Sequence, residues 1–488
     1  MRSHRFLLWT TFISGMSLMA LEINASRILA PYFGTSLFVW SSIIGIVLLA
    51  LSIGYYFGGK MADKYPRSEM LYGILWAVGI WMMVLPWLST FLLNLITQQG
   101  ISVSLLISAI VISIVLFLPP CTLMGMVSPY VLKLYADHFK ELGREAGTLY
   151  AISTLGSLIG TFLPSLVTIP LIGSLRTTLF FACVLLITAT IGLGKKWLIV
   201  FPIIAALLLI FAKPAVTNAY TVYQTESSYG YIHVYDHNDI RFLQLDAPYG
   251  VHSIKRADSL FTQNYWDYYT VIPYYLPVEK TLLLGVAGGN ISTLLSHYFP
   301  QMQITGVEID PAIIKTAQQY FDLDKPNLKL VEQDARSFLH QTDEDYDLII
   351  MDAYHNLNIP VHLSTKEFFA EAKSHLTNNG LLAINVAHSG PGSKLDSYLA
   401  ATLHSIFPYV YTIDTNNGYN TVLIGSQNAW VIPSNISQIQ ANYPELYHIW
   451  RKYPPIQITD FDLNLIQTDD SNILELIAGE EAFHVVKK

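Results

Sequence analysis

Up to about Ala212 the chain is a succession of long apolar runs with short polar breaks. Few folds can accept such runs. In hydrocarbon no water satisfies a peptide group, so each segment must close its own backbone hydrogen bonds as a helix. A span takes about 20 mostly apolar residues. Seven segments are candidates: residues 6–30, 37–59, 71–96, 101–118, 149–172, 177–193 and 197–211, the last being the shortest. Pro119, Pro120 and Pro129 predict that the fourth is followed by a broken helix over 121–135. The first segment has no small-residue cleavage site and is followed at once by another, so it reads as a span and not a signal peptide.

Positive charge sorts the breaks. Arg2 and Arg5 precede the first span; Lys60, Lys64 and Arg67 follow the second. Lys133, Lys140 and Arg144 follow the fourth, and Lys195 and Lys196 the sixth. The alternate breaks are nearly bare, Arg176 excepted. The pattern places the amino terminus inside. Seven spans would put the later half outside, whereas a cytosolic cofactor argues for the inside, so the side stays open. Glu22 and Arg27 lie in or beside the first span, where ionisable groups pair with neighbours or mark a pathway.

From Lys213 onward the composition is that of an ordinary soluble domain. The whole chain is only 13% charged, with a formal net charge of −8. An acidic balance makes nucleic acid a poor partner, since phosphate binding needs a basic surface; a small cationic substrate suits the sign better. Cys121 and Cys183 show no metal or redox spacing.

Residues 221–246 alternate apolar and polar side chains between turn signals, which predicts a small antiparallel β-meander. An aromatic helical stretch follows, containing Tyr265, Trp266, Tyr268 and Tyr269. Strands are then expected at 281–284, 303–308, 328–332, 348–352 and 381–386, with helices at 291–298, 311–320, 335–342 and 365–376. Apolar strands alternating with amphipathic helices indicate a doubly wound parallel sheet. The expected division is a transmembrane domain (1–212), the meander and connecting helix (213–276), a Rossmann-like adenosyl-binding domain of methyltransferase type (277–428) and a C-terminal extension (429–488).

Ligands of such sheets sit at the carboxyl ends of the strands. There the sequence places a turn with Gly285, Gly288 and Gly289, then Glu308, Asp334 with Ala335 behind it, and Asp352. Glycine permits close backbone approach and positive φ, and a helix start offers free N–H groups. A carboxylate about 20 residues beyond such a turn can accept ribose hydroxyls. Asp334 is placed to accept from an adenine amino group, and Asp352 to face the reacting end of the ligand. Asp310, before Pro311, reads as a helix cap. His355 and His362 follow Asp352, but no credible metal-ligand array accompanies them.

The segments VEIDPAIIKTAQQYF, QDARSFL and YDLIIMDAYH…STKEFF together resemble the polyamine aminopropyltransferase (spermidine synthase) family over roughly residues 220–425. The apolar half, with MALEINASRILAPYFG, resembles the bacterial branch in which that domain is fused to membrane spans. The resemblance implies a membrane-bound enzyme that moves an aminopropyl group from decarboxylated S-adenosylmethionine to putrescine or a related amine, giving spermidine and methylthioadenosine. It implies no metal, a multi-pass place in the inner membrane and a homo-oligomeric assembly. The glycine turn would lie under the cofactor, Glu308 would hold the ribose and Asp334 the adenine. Asp352 would act as base and Tyr265 would seat the amine. The chain departs from the family where an acid inside the turn is replaced by Gly288, where the second acid of the catalytic loop is replaced by His355, and where Tyr-His-Glu reads Tyr265-Trp266-Asp267. Asp267 and His355 are therefore candidate substrate-binding residues. Two alternatives stay open: an S-adenosylmethionine-dependent methyltransferase, and a non-catalytic polyamine-binding or transport module.

Overall fold

The computed structural model describes residues 4–33, 37–98, 105–135, 142–212, 220–246, 250–354, 359–388, 390, 393–415, 418–430, 444–474 and 477. The chain forms two compact units, Met1–Tyr231 with Asp246–Pro248, and Ile232–Leu245 with Tyr249–Lys488.

The first unit is helical. Its helices are α1 (His4–Phe33), α2 (Leu37–Lys64), α3 (Ser68–Gln98), α4 (Leu105–Gly125), α5 (Val127–Tyr135), α6 (Leu142–Leu163), α7 (Ile169–Leu193) and α8 (Val200–Phe211). Strand β1 (Thr221–Glu226) follows them. Among the described residues five helical stretches are long and apolar enough to cross a membrane; one of them, Leu142–Leu193, holds two of the expected segments, and Lys196–Phe211 is shorter. Small residues let α1 and α6 touch backbone to backbone: a Cβ on Gly156 would lie 2.2 Å from the Phe12 carbonyl, and one on Gly160 2.0 Å from that of Met16.

The structure corrects one expectation here. α4 does not stop at Pro119 and Pro120 but runs through both to Gly125. Proline removes an N–H and leaves the carbonyl four residues back without its helical partner. For Pro120 that carbonyl belongs to Leu116, and the Trp81 indole N–H donates to it at 3.0 Å. The break comes later, at Met126 between α4 and α5, and a separate interruption lies inside α7, at Gly173 (φ 81°, ψ 167°). The helix restarts at Ser174, whose N–H donates to both Glu226 oxygens (3.0 and 3.1 Å) and whose hydroxyl donates to Oε1 (2.7 Å). A carboxylate at a helix start satisfies free donors and complements the helix dipole.

The second unit holds an antiparallel meander and an eight-stranded sheet. In the meander, β2 (Tyr231–His237) pairs with β3 (Ile240–Leu245), and β3 with β4 (Val251–Arg256). A 3₁₀ helix, Tyr265–Tyr274, carries the aromatic stretch. The large sheet comprises β5 (Lys280–Leu284), β6 (Gln303–Glu308), β7 (Leu328–Glu332), β8 (Tyr346–Met351), β9 (Leu376–Ala387), β10 (Tyr409–Asp414), β11 (Asn420–Ser426) and β12 (Ile456–Ile458). Their order is β12-β10-β11-β9-β8-β5-β6-β7. The strands from β7 to β9 are parallel, and β11 is antiparallel to β9. β9 begins earlier than expected because Leu376 already pairs with Tyr346, before a shift in register. Helices α9 (Asn290–Tyr298), α10 (Pro311–Tyr320), α11 (Ala335–Leu339), α12 (Lys366–Ser374) and α13 (Lys394–His404) lie between the strands, and α14 (Pro444–Lys452) follows β11.

Alternation along β5 divides the core. Leu283 packs with Leu294 and Leu295 on one face of the sheet, whereas Leu282 and Leu284 pack with Phe368 and Phe369 on the other. Burial on both faces explains the unbroken apolar strand. Chain order reverses between β5 and β8, and a ligand crevice belongs at such a switch point.

Candidate active site

Backbone geometry fixes the turn after β5. Gly285 has φ +88° and Gly289 φ +84°, values that cost glycine little. A Cβ on Gly285 would lie 2.5 Å from the Asp352 carbonyl, so the turn runs directly against the end of β8. Gly288 answers a different demand. Its N–H donates to Ser253 Oγ (2.7 Å), and a Cβ there would lie 2.5 Å from Ser253 Cβ. The meander strand β4 thus occupies the space where an acid would stand. Asn290 locks the two together: it accepts from Ile254 N–H (3.0 Å) and donates to the Ile254 carbonyl (2.6 Å).

Glu308 closes β6 and is 8% exposed. Its Oε2 accepts from the N–H groups of Val286 and Ala287 (3.2 and 3.1 Å), and its Oε1 from Asp310 N–H (3.3 Å). Burial pushes its carboxyl above the ordinary range against the pull of those donors. Asp310 caps α10 through Ala312 N–H (2.9 Å). Asp334 caps α11 through Ser337 N–H (2.9 Å), and its second oxygen meets His362 Nε2 at 3.1 Å. Burial pushes Asp334 upward, but the hydrogen bonds from Ser337 and His362 together outweigh it and leave the carboxyl below its usual range. Ala335, the first residue of α11, is buried behind it.

Asp352 follows β8 and gathers groups from three parts of the sequence. The Tyr265 hydroxyl lies 3.1 Å from each carboxylate oxygen, and Asn385 Nδ2 donates to Oδ1 at 2.9 Å. Asn385 is itself held by Asn420 Nδ2 (2.9 Å). Tyr354 braces the end of β9, donating to the Asn385 carbonyl and accepting from Ala387 N–H, both at 2.8 Å. Desolvation raises Asp352 to about 7, and the donors only partly offset it. Tyr269 is fully buried, and its hydroxyl has no hydrogen-bond partner among the described residues. Burial pushes this hydroxyl well above its ordinary range, and the nearby Asp352 carboxylate pushes it further. An orphaned hydroxyl and a carboxylate with unused lone pairs fit an ammonium or amine ligand.

The site thus joins Asp352 with Tyr265 and sets the glycine turn against β8, with Glu308 and Asp334 at the neighbouring strand ends. Asp267 is engaged within its own loop. It is 2% exposed, and its oxygens are taken by the Thr262 N–H and hydroxyl (2.9 and 2.7 Å) and by Gln263 N–H (2.7 Å). Its carboxylate therefore ties down the loop before the 3₁₀ helix. His355 lies outside the described residues. Ser253, Tyr269, Tyr354 and Asn385 were missed. Tyr354, two residues after Asp352, and Tyr269, in the aromatic stretch, carried a local signal; Ser253 and Asn385 approach from strands whose pairing the sequence does not display.

Strand order, the glycine turn and the strand-end acids define a Rossmann-like α/β domain of methyltransferase type. A methyltransferase-domain family model matches residues 282–380. Curated relatives narrow the likeness. A Bifidobacterium longum protein named "Probable polyamine aminopropyl transferase" is 33% identical over 188 residues, 38% of this chain and 42% of that protein. A polyamine aminopropyltransferase of Vibrio vulnificus is 29% identical over 214 residues, 41% of this chain and 71% of that one. A solved probable spermidine synthase from Corynebacterium glutamicum matches at 20% identity with a TM-score of 0.39, covering 50% of this chain and 91% of that one. The chain thus spans under half the length of the first of these relatives and about seven-tenths of the second. The likeness to polyamine aminopropyltransferases expected from the motifs is borne out, and these matches support a transferase enzyme.

Proposed function

We propose that the protein is a membrane-bound aminopropyltransferase that moves the aminopropyl group of decarboxylated S-adenosylmethionine to putrescine or a related amine, releasing methylthioadenosine. The observation that carries this is Asp352: a carboxylate raised to about 7, held by Tyr265 and Asn385 against the glycine turn. The leaving group is a sulfonium sulfur, which departs readily. The difficulty is the nucleophile, since an alkylamine has a pKa near 10 and is protonated at neutral pH. Asp352 accepts its proton, Tyr265 fixes the carboxylate, and the amine is aligned behind the carbon bonded to sulfur. Glu308 takes the ribose hydroxyls after its present backbone contacts relax, and Asp334 meets the adenine. The helical unit lies in the bilayer.

A second reading, methyl transfer from S-adenosylmethionine, is favoured by one observation: Ser253 seals the position of Gly288, so the acid that would hold the amino end of a decarboxylated donor has no room. Incubation of the full-length protein with each donor and a panel of amines separates the readings by mass spectrometry. Methylthioadenosine marks the first and S-adenosylhomocysteine the second. Neither product, with amine bound, would leave the non-catalytic binding module.

A further inference from the structure

The helical unit records which end of the bundle each segment starts from. At one end Thr10 Oγ1 and Tyr72 Oη are 3.4 Å apart, and a Cβ on Gly192 would lie 2.1 Å from the Tyr72 ring. The starts of α1 and α3 therefore lie level with the close of α7. The end of α2 joins them through the short link to α3, and α5 ends there too, since Lys133 pairs with Asp63 (2.7 Å) and the Tyr130 hydroxyl donates to the Tyr65 carbonyl (2.7 Å). α6 runs parallel to α1, with Gly156 against Phe12 and Gly160 against Met16. At the opposite end Asn24 Nδ2 donates to the Ser174 carbonyl (2.9 Å), which places the start of the second part of α7 beside the close of α1.

The short final helix decides the parity. Lys196–Phe211 is below the length usually needed for a span. It nevertheless matches its neighbour in height. Cys183 Sγ contacts the Pro202 carbonyl at 3.5 Å partway along, and Arg176 Nη2 donates to the Ala212 carbonyl at 3.3 Å at the far end. The helix thus rises from Gly194 to the level of Ser174 and Arg176, the full height of α7 beyond its break. The next described strand stays there: Glu226 caps Ser174, and Arg27 donates to the Ser228 carbonyl. Both contacts lie within the helical unit, whose chain ends at Tyr231 apart from Asp246–Pro248.

Charge orients the bundle. All lysines and arginines before Lys213, except Arg27 and Arg176, lie at the end shared by His4, Lys64 and Gly194, or in sequence beside it. The two exceptions are the residues that hold the emerging chain. Basic residues near short loops mark the cytoplasmic face.

Resting on the reading that the helical unit spans the membrane, we propose that it does so seven times with its amino terminus in the cytoplasm, so that the chain enters its adenosyl-binding half on the extracytoplasmic side. The sulfonium nucleoside and the amine must then be met outside, because neither cation crosses the hydrocarbon unaided.

Single cysteines in full-length protein lacking Cys121 and Cys183 test this, read with a membrane-impermeant maleimide on spheroplasts. Ser374→Cys, exposed on α12, is expected to label in intact spheroplasts, and Lys64→Cys only after permeabilisation. The opposite pattern, or both positions on one side, would overturn the inference. Carbonate extraction is the separate control: release of the protein from the membrane fraction would sink the spanning reading and the inference with it.

Discussion

Asp352 carries the opposition between folding and chemistry in one side chain. Its charged form is disfavoured by desolvation, so folding raises its pKa from the ordinary carboxylate range to about 7. The folded state therefore holds the proton more tightly than the unfolded chain. The stabilising contribution is fully present below the unfolded value and is lost as pH rises through about 7. Asp352→Asn is accordingly expected to melt higher than the parent at pH 8 and to lose that advantage in acid, while turnover falls by about 10²- to 10⁴-fold. Thermal melts in detergent at the two pH values, beside product assays, check both halves; unchanged turnover would remove Asp352 as base. The same titration predicts that kcat/KM of the parent rises toward a plateau just above pH 7, since only the ionised carboxylate can take a proton. At Gly288 sterics replace electrostatics. Gly288→Ala drives a methyl into Ser253 and is expected to cost about 1–3 kcal/mol; because Ser253→Gly removes both the clash and the acceptor of the Gly288 N–H, the double variant is expected to lose less than the sum of the two single variants, as denaturation midpoints would show.

At the scale of elements, hydrogen-bond completion decides where helices bend. α4 passes through two prolines because a tryptophan on α3 serves a carbonyl left unpaired by one of them. Trp81→Phe keeps the bulk and removes that donor. It is expected to lower stability by about 1–3 kcal/mol, the cost of a buried unpaired carbonyl, while leaving single-turnover chemistry in the second unit unchanged. A melt in detergent reads the first and rapid quench the second. α7 is interrupted at Gly173, where a carboxylate from β1 serves the restarting helix at Ser174. Local sequence could not separate these cases: prolines advertise a break, and whether one occurs depends on a side chain about thirty-five positions away in the chain.

For the whole molecule, the extracytoplasmic reading makes a vectorial prediction. Sealed right-side-out vesicles should consume donor and amine added to the medium, and inverted vesicles only after detergent; the reverse asymmetry would place the catalytic half in the cytoplasm. The division into an apolar half and an α/β half was legible from hydropathy and from strand–helix alternation, because both follow from the solvent each segment must face. The acids at and just beyond the strand ends were legible from the strand–helix alternation, since each falls where an apolar run stops. The charge state of Asp352, the engagement of Asp267 by Thr262 and Gln263, and the closure of Gly288 by Ser253 were not. Each depends on which distant strand or loop comes to rest against the residue. Sequence alone therefore determined the apolar helical half, the parallel sheet and the residues offered at its edge. Tertiary structure decided which carboxylates remain available for chemistry and at which end of the bundle the chain emerges, because desolvation, steric exclusion and helix pairing are properties of neighbours in space.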